Sequence, residues 1–255
     1  MSGSAYTYII NARNTYESFY SLKSVPSYIL AKELGQPDLL TKTEFCELEI
    51  EGKSVLGVLS PSALGERGVD ADVLPTPAMQ RDLSKLTLID ILCLQQDHLS
   101  NNYNIITDKQ LSSHKAKSSI CAFDNDNMYT FFPVFNIKKY KSSLCSRIIL
   151  KDGTINIPFL DKELVNNIIE RSSDEIAKCL KPYLNTIQIL AFKSRYRGLQ
   201  RAIKRTVKKK RCSLLDNNEW SEQTIQEEIS GRYGETYFCY LFHDIEKRTL
   251  KHSNN

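Results

Sequence analysis

Two apolar runs that each end in acidic side chains are the most constraining feature of this 255-residue chain. The first lies within LTLIDILCLQQDHLSNNYNII and ends at Asp97, with Asn102 shortly after it. The second, SSICAFDNDN, ends at Asp124 and Asp126. A carboxylate at the end of a buried run needs a hydrogen-bonding partner or a metal ion. The stretch therefore predicts a site built where two buried elements end.

The order of these side chains has a chemical interpretation. Phosphoryl transfer needs one carboxylate to orient the attacking hydroxyl, and an amide with a second carboxylate to hold magnesium against the phosphates. A kinase catalytic loop provides the first two groups as Asp-x-x-x-x-Asn, and a strand-end Asp provides the third. Asp97, Asn102 and Asp124 fit these roles, and Asp126 fits either a further metal ligand or an Asx turn.

Hydrophobic periodicity predicts how the stretch folds. Apolar residues at helical spacing predict a buried helix over 79–96, from whose C-terminal end the loop would hang. Segments 103–107 and 119–123 predict a short hairpin around a polar tip. Such a hairpin would bring Asn102 and Asp124 side by side at its base, which suits an octahedral, oxygen-ligated Mg²⁺.

Upstream of this stretch, the sequence predicts a helix over 26–34 that ends before Gly35. Alternating residues predict a hairpin of strands 43–50 and 54–59. Frequent glycines and prolines predict a hinge or surface loop over 60–78.

Both ends of the chain also carry patterns. Residues 1–23 alternate aromatic and polar side chains, which predicts a strand and a turn. The C-terminal part is predicted to be mostly helical, with Asp174 capping the second helix and Ser221 the last. The predicted helices are 161–171, 174–189, 190–210 and 221–230.

Together with the upstream segment VPSYILAKELGQPDLLTKTEFCELEIEGKSVLGVLSP, the acidic stretch resembles the atypical kinase superfamily. The resemblance covers 25–132 and is to the branch of phosphatidylinositol 3- and 4-kinases, HipA-like toxins and lanthipeptide-dehydratase kinases. It implies an α+β, protein-kinase-like two-lobe fold. Residues 1–78 would form a reduced N-lobe, and 79–255 a helix-rich C-lobe that carries the catalytic loop within 79–132.

The resemblance also implies ATP and Mg²⁺ or Mn²⁺ as cofactors, with Asp97 as the catalytic residue. In the family a His usually stands two residues after the catalytic Asp, whereas His98 follows Asp97 directly. His98 is expected to orient the loop by hydrogen bonding. Alignment on His98 would instead place Gln96 at the catalytic position and Asn101 at the metal position, which describes a pseudokinase.

The nucleotide-binding lysine of the family has no clear counterpart in this chain. The first strand, YTYIINARN, carries Asn11 or Arg13 where the resemblance leads us to expect lysine, and Gly3 is the only glycine near the place of a glycine loop. Lys23 is the nearest lysine and the remaining candidate for nucleotide binding, although it stands at the start of the next helix. The pairing glutamate of the family is likewise missing, because Glu33 comes two turns late.

Positive charge is concentrated in one segment. Residues 192–212 carry ten of the 34 lysines and arginines and no acid, so the rest of the chain has fewer cations than its 30 acidic residues. One helical face of the segment is apolar and is predicted to pack inward (Phe192, Tyr196, Leu199, Ile203 and Val207). The predicted polyanion-binding residues face outward (Arg197, Arg201, Lys204, Arg205 and Lys208). Nucleic acid and anionic membrane both fit such a surface, and a plain solvated face is the alternative.

Composition limits the remaining possibilities. A chain with 41% hydrophobic and 25% charged residues is typical of globular proteins. Its apolar runs are too short for a transmembrane helix, and its N-terminus lacks a signal-peptide pattern, so we expect a cytoplasmic protein or export without a recognisable signal. Seven scattered cysteines predict reduced thiols, with Cys93 and Cys121 in the core.

Three functions follow as hypotheses. The first is an Mg-ATP-dependent phosphotransferase that acts on a protein, lipid or small-molecule acceptor. The second is a pseudokinase or incomplete kinase-like module that binds a partner or a polyanion through the basic helix. The third is a nucleic-acid-binding protein whose Asp and Asn clusters are turns.

Overall fold

The computed structural model describes residues 5–8, 23–50, 52–63, 65–68, 76–95, 98, 102–106, 119–123, 135–139 and 148–224. In these ranges the α-helices are α1 (Ser24–Glu33), α2 (Pro77–Cys93), α3 (Lys162–Glu170), α4 (Ser173–Leu180) and α5 (Thr186–Lys208). The strands are β1 (Ala5–Tyr8), β2 (Glu44–Ile50), β3 (Lys53–Pro61), β4 (Glu66–Arg67), β5 (Tyr103–Ile105), β6 (Ile120–Ala122), β7 (Phe159–Asp161) and β8 (Ser213–Leu215). The mixture of helix and strand confirms the α+β class.

An antiparallel sheet with strand order β1-β3-β2 forms the N-terminal part. The predicted hairpin is confirmed, with Glu44 opposite Leu59 and Ile50 opposite Lys53. Gly52 lies in its turn at φ +71°, a conformation that favours glycine. β1 pairs with the other edge of β3, and Gly3, Asn11 and Arg13 lie outside the described residues.

Helix α1 joins this sheet to the rest of the molecule. It spans the predicted segment, and Gly35 follows it at φ +78°. Its last carbonyl groups accept hydrogen bonds from side chains further along the chain. Asn167 Nδ2 donates to the oxygen of Leu34 at 3.0 Å, and Arg171 Nη1 donates to that of Glu33 at 2.7 Å. These bonds satisfy the helix end and tie α1 to the C-terminal helices.

Helix α2 is the central element. Thr76 caps its N-terminus by accepting a bond from the Met79 N–H, and Pro77 occupies its first turn. All residues from 82 to 95 are buried, so the helix is surrounded on every side. This confirms the predicted buried helix. It also shortens the predicted 60–78 loop, which contains β4 and ends before α2 begins.

The C-terminal helices differ from the prediction in two respects. The predicted helix 174–189 is wrong, because α4 ends at Leu180 and α5 begins at Thr186. Asn185 and Gln188 form a reciprocal capping box that starts α5. The capping role predicted for Asp174 is also wrong, since Ser172 caps α4 by accepting from the Glu175 N–H. Ser221 does accept a bond from the Thr224 N–H, as expected of a cap.

A parallel pair of short strands, β7 and β8, completes the described fold. Ser84 Oγ in α2 donates to the oxygen of Phe159 at 2.9 Å, which fixes β7 against the central helix. One cluster of buried side chains runs from α1 through α2, β5 and β6 to Trp220. Cys93 and Cys121 are buried, as predicted. Packing in this part of the chain is therefore organised around α2, whereas the two-lobe arrangement stays a prediction.

Candidate functional site

The hairpin predicted downstream of α2 is present. β5 pairs antiparallel with β6, with Tyr103 opposite Ala122 and Ile105 opposite Ile120. At its base the Phe123 N–H donates to the backbone oxygen of Asn102 at 2.9 Å. The pairing therefore continues one residue beyond the strands, and Asn102 is buried at this end.

Several predicted site residues lie outside the described residues. These are Asp97, Asp124 and Asp126, together with Gln96 and Asn101 of the alternative register. Asp124 follows Phe123 directly in the chain, and Phe123 is paired with Asn102. The described backbone thus ends one residue short of the predicted metal ligand.

Asp82 holds the far end of the hairpin. Its Oδ2 atom accepts hydrogen bonds from the backbone N–H of Ser119 at 2.7 Å and from the Ser119 hydroxyl at 2.8 Å. Its Oδ1 atom lies 3.2 Å from Nε of Arg81. Because Asp82 is 1% exposed, these bonds replace its contacts with water. They anchor the start of β6 to α2.

Asp90 holds His98 beyond the other end of α2. His98 Nδ1 and Asp90 Oδ1 are 2.8 Å apart in a hydrogen bond between buried side chains. Burial raises the pKa of the Asp90 carboxyl, and the charge and hydrogen bond of His98 oppose this shift only in part. The hydrogen bond expected of His98 is therefore present, and with 3% exposure the ring is held in place. Its catalytic role stays a prediction.

The end of α2 is closed by the helix that carries the basic segment. Arg195 of α5 is 1% exposed, and its Nε donates to the backbone oxygen of Leu92 at 3.0 Å. Leu94 follows at φ +63°, and the Gln95 N–H bonds the oxygen of Asp90. A left-handed residue at this point ends the helix and turns the chain into the loop.

The hairpin is also fixed to the segment that follows β3. Asn104 Nδ2 donates to the backbone oxygen of Ala63 at 3.0 Å and lies 3.4 Å from that of Gly65. A Cβ at Gly65 would lie 2.2 Å from the oxygen of Ile105, so only glycine permits this approach. β4 pairs beside it with β5. The connection predicted as a hinge thus packs directly on the hairpin.

Lys23, the candidate nucleotide lysine, is buried immediately before α1. Its backbone oxygen accepts a bond from the Ser27 hydroxyl at 3.0 Å. It therefore belongs to the first turn of a helix and not to the N-terminal sheet.

Residues 192–208 of the basic segment lie in one long helix, α5, and residues 209–212 follow its end. Phe192, Tyr196, Leu199 and Ile203 are fully buried. The inward position predicted for Val207 is wrong, since its side chain is 36% exposed near the end of the helix. The five cations predicted to face outward are all exposed, namely Arg197, Arg201, Lys204, Arg205 and Lys208.

Three residues of this site were not predicted: Asp82, Asp90 and Arg195. Asp90 is flanked by the apolar residues Ile89 and Ile91, and this was the available signal for it. Asp82 and Arg195 have polar or charged neighbours and gave no such signal. An acid or arginine is buried only with partners. Their partners are the backbone N–H and hydroxyl of Ser119, His98, and the backbone oxygen of Leu92, and spacing does not indicate these pairings.

Within the described residues, no cluster of three or more His, Cys, Asp or Glu side chains is placed to hold a metal ion. The same residues include no helix that is long and apolar enough to cross a membrane. No protein-family model and no curated protein matches this chain. The kinase interpretation therefore rests on the residues and contacts described above.

Proposed function

We propose that this protein is a kinase-like phosphotransferase that uses Mg-ATP. In this proposal Asp97 orients the acceptor hydroxyl, and Asn102 with Asp124 holds the metal ion, with Asp126 as a further oxygen ligand. His98 positions the loop. The acceptor is a protein, a lipid or a small molecule that carries a hydroxyl group.

The observation that carries the proposal is the hydrogen bond from the Phe123 N–H to the Asn102 oxygen. Residues opposite each other in an antiparallel pair have Cα atoms about 4.5–5.5 Å apart. Phe123 is the cross-strand neighbour of Asn102, and Asp124 is the next residue in the chain. The pairing thus supports the proposed use of Asn102 and Asp124 in one site. An amide and a carboxylate at the base of one hairpin suit magnesium, because that ion prefers oxygen ligands.

The contacts of α2 support the same proposal. Asp82 holds the start of β6 and Asp90 holds His98, so one buried helix fixes both the hairpin and this histidine. Phosphoryl transfer depends mainly on positioning and electrostatics, and side chains held by buried hydrogen bonds suit this need. Magnesium, when bound, would neutralise phosphate charge. The chain itself would orient the hydroxyl through Asp97 and keep the loop in place.

A second candidate is a kinase-like module that binds nucleotide or a partner without transferring phosphate. One observation favours it. Residues 1–22 contain no lysine, and Lys23 lies in the first turn of α1. A chain without the lysine that contacts the nucleotide phosphates would lack part of the usual charge stabilisation.

Nucleotide-dependent stabilisation tests the proposal. Mg-ATP at a hundredfold excess over its dissociation constant should stabilise the fold by about 2.7 kcal/mol. Thermal denaturation should show this as a raised Tm. Asp124→Asn should remove the magnesium-dependent part, and the exposed Asp38→Asn should not. Incubation with γ-labelled ATP should yield labelled protein or free phosphate, and Asp97→Asn should reduce this yield by orders of magnitude while nucleotide binding survives.

Other outcomes would overturn parts of this proposal. A Tm shift with no phosphoryl transfer in the parent favours the inactive module. No shift with ATP, ADP or GTP, in Mg²⁺ or Mn²⁺, rejects nucleotide binding altogether. A larger activity loss from Gln96→Ala than from Asp97→Asn would place the catalytic register one residue earlier.

A further inference from the structure

Four cations form a row along the exposed side of α5. Arg197, Arg201, Lys204 and Lys208 are spaced by four, three and four residues, which places them on one face of a helix. At 1.5 Å per residue the row is about 16 Å long. Arg201, Lys204 and Lys208 form no ion pair with any described residue. The row therefore presents its charge to solvent.

A second group of cations surrounds the turn at 150–154, beside the C-terminal half of α5. Lys209 Nζ lies 2.8 Å and Arg211 Nη1 2.9 Å from Asp152 Oδ2. Arg205 Nη1 donates to the backbone oxygen of Asp152 at 2.8 Å, and Lys138 Nζ donates to that of Lys151 at 3.2 Å. Asp152 is the single carboxylate in these contacts, and its pKa is lowered mainly by the Lys209 hydrogen bond. The group is net positive despite this acid.

The N-terminal part of α5 is different. Lys193 forms an ion pair with Asp174, and the charge of Arg197 also acts on that carboxylate. Free positive charge therefore increases toward the C-terminal end of the helix. We call the row and the cations around the turn the basic surface. Its members are Lys138, Lys151, Arg197, Arg201, Lys204, Arg205, Lys208, Lys209, Lys210 and Arg211.

We propose that this basic surface binds the phosphate backbone of a nucleic acid without reading its bases. A row about 16 Å long covers on the order of five base-pair steps measured along the axis of B-form DNA, because each strand rises 3.4 Å per phosphate along that axis. Arginine guanidinium groups can bind phosphate oxygens in pairs, and Arg197 and Arg201 are exposed for this purpose. Such binding is independent of the phosphotransferase proposal.

The arrangement favours nucleic acid over an anionic membrane. The row runs along a convex helix, so the basic surface matches a phosphate strand better than a plane. Peripheral membrane helices combine cations with apolar side chains that enter the lipid. The two most exposed apolar residues of α5, Ile187 and Leu190, lie at the opposite end, near Asp174 and not beside the free cations. Val207, next to Lys208, is 36% exposed, which is less than Ile187 at 57% and Leu190 at 50%.

Fluorescence anisotropy with a labelled 20-base-pair duplex DNA and a matched RNA duplex tests the proposal, where the length follows from the ~16 Å row with margin at both ends. The variant carries Arg197→Gln, Arg201→Gln, Lys204→Gln and Lys208→Gln. Its affinity should fall at least about tenfold at low salt, and the slope of log K against log salt should fall by about 0.9 for each phosphate that the variant no longer neutralises. Phe192, Tyr196, Leu199 and Ile203 are untouched, so the Tm should stay close to that of the parent.

A matched control carries the same loss of charge elsewhere. Lys32, Lys53, Lys178 and Lys181 are exposed and lie outside the basic surface, and their joint change to Gln should leave binding intact. Three outcomes overturn the proposal. The parent binds neither duplex at low salt, or both variants lose affinity equally, or the parent prefers phosphatidylserine vesicles and the duplexes bind only weakly.

Discussion

Two aspartates of this protein show opposite uses of a carboxylate. Asp90 is buried within α2, and burial raises its pKa while His98 compensates in part. Asp152 is on the surface, and the hydrogen bond from Lys209, with further help from Thr154, lowers its pKa. The buried acid positions a loop at an energetic cost, whereas the exposed acid joins cations that would otherwise repel each other. The same type of side chain therefore positions a neighbouring residue in the interior and balances positive charge at the surface.

The largest loss of folding stability is expected from substitution of Asp82, the second buried acid of α2. Asp82→Ala leaves the Ser119 N–H and hydroxyl without their acceptor. We expect the free energy of unfolding to fall by about 3 kcal/mol, because buried groups would be left without a partner. Asp82→Asn keeps an oxygen acceptor and should have a smaller effect. Urea denaturation measures both, with the exposed Asp38→Ala as a control expected within about 0.5 kcal/mol of the parent.

A medium effect is expected for the pair of Asp90 and His98. Asp90→Ala, His98→Ala and the double variant define a cycle whose coupling free energy should lie between about 0.5 and 3 kcal/mol. Each single variant removes one side of the Asp90–His98 hydrogen bond, and the double variant removes both sides. Additive effects in urea denaturation would show that the 2.8 Å contact does not stabilise the fold.

The smallest expected effects are changes of folding stability with pH, and they should have opposite signs for Asp90 and Asp152. A raised pKa in the folded state means that the stabilisation by Asp90 is fully present below its unfolded pKa and is lost as the pH rises through the folded value. Asp90→Asn should therefore gain stability relative to the parent as the pH rises. Because its folded pKa is lowered, Asp152 contributes above its unfolded pKa and loses this contribution as the pH falls toward the folded value.

Asp152→Asn should accordingly be less stable than the parent at neutral pH, and the difference should shrink as the pH falls below about 4. High salt should also reduce it, because the ion pairs of Asp152 are exposed to solvent. Unfolding free energies from pH 3 to 8 check both variants, a range that spans the ordinary pKa values of ~3.9 for Asp and ~6.5 for His. If the stability of both variants relative to the parent changed with pH in the same direction, the contrast between the two acids would be contradicted.

Local patterns predicted much of this architecture. The hairpin of β5 and β6 follows from two apolar runs, and α2 follows from the helical spacing of its apolar residues. The parallel pairing of β7 with β8 was not predicted, because each strand has three residues and the partners are distant in sequence. Asp82 and Asp90 were missed because a helix buried on all sides has no polar face to reveal which charges are internal.

The candidate site was predicted in part for a similar reason. Its residues are consecutive in two short stretches, so residue type and order suggested the chemistry. The supporting hydrogen bond of Arg195 comes from α5, about a hundred positions later, and the charge pattern groups this residue with the other cations of the basic segment. A hydrogen bond between a side chain and a backbone group far away in the sequence leaves no periodic pattern in that sequence.

The bond from Arg195 to Leu92 also fixes the rotational register of α5. A slide of one residue would turn the helix by about 100° and withdraw Arg195 from the end of α2. The direction in which Arg197, Arg201, Lys204 and Lys208 project is consequently set by the same contact that closes the helix before the loop. The direction of the cation row and the end of α2 therefore depend on the same hydrogen bond, from Arg195 to Leu92.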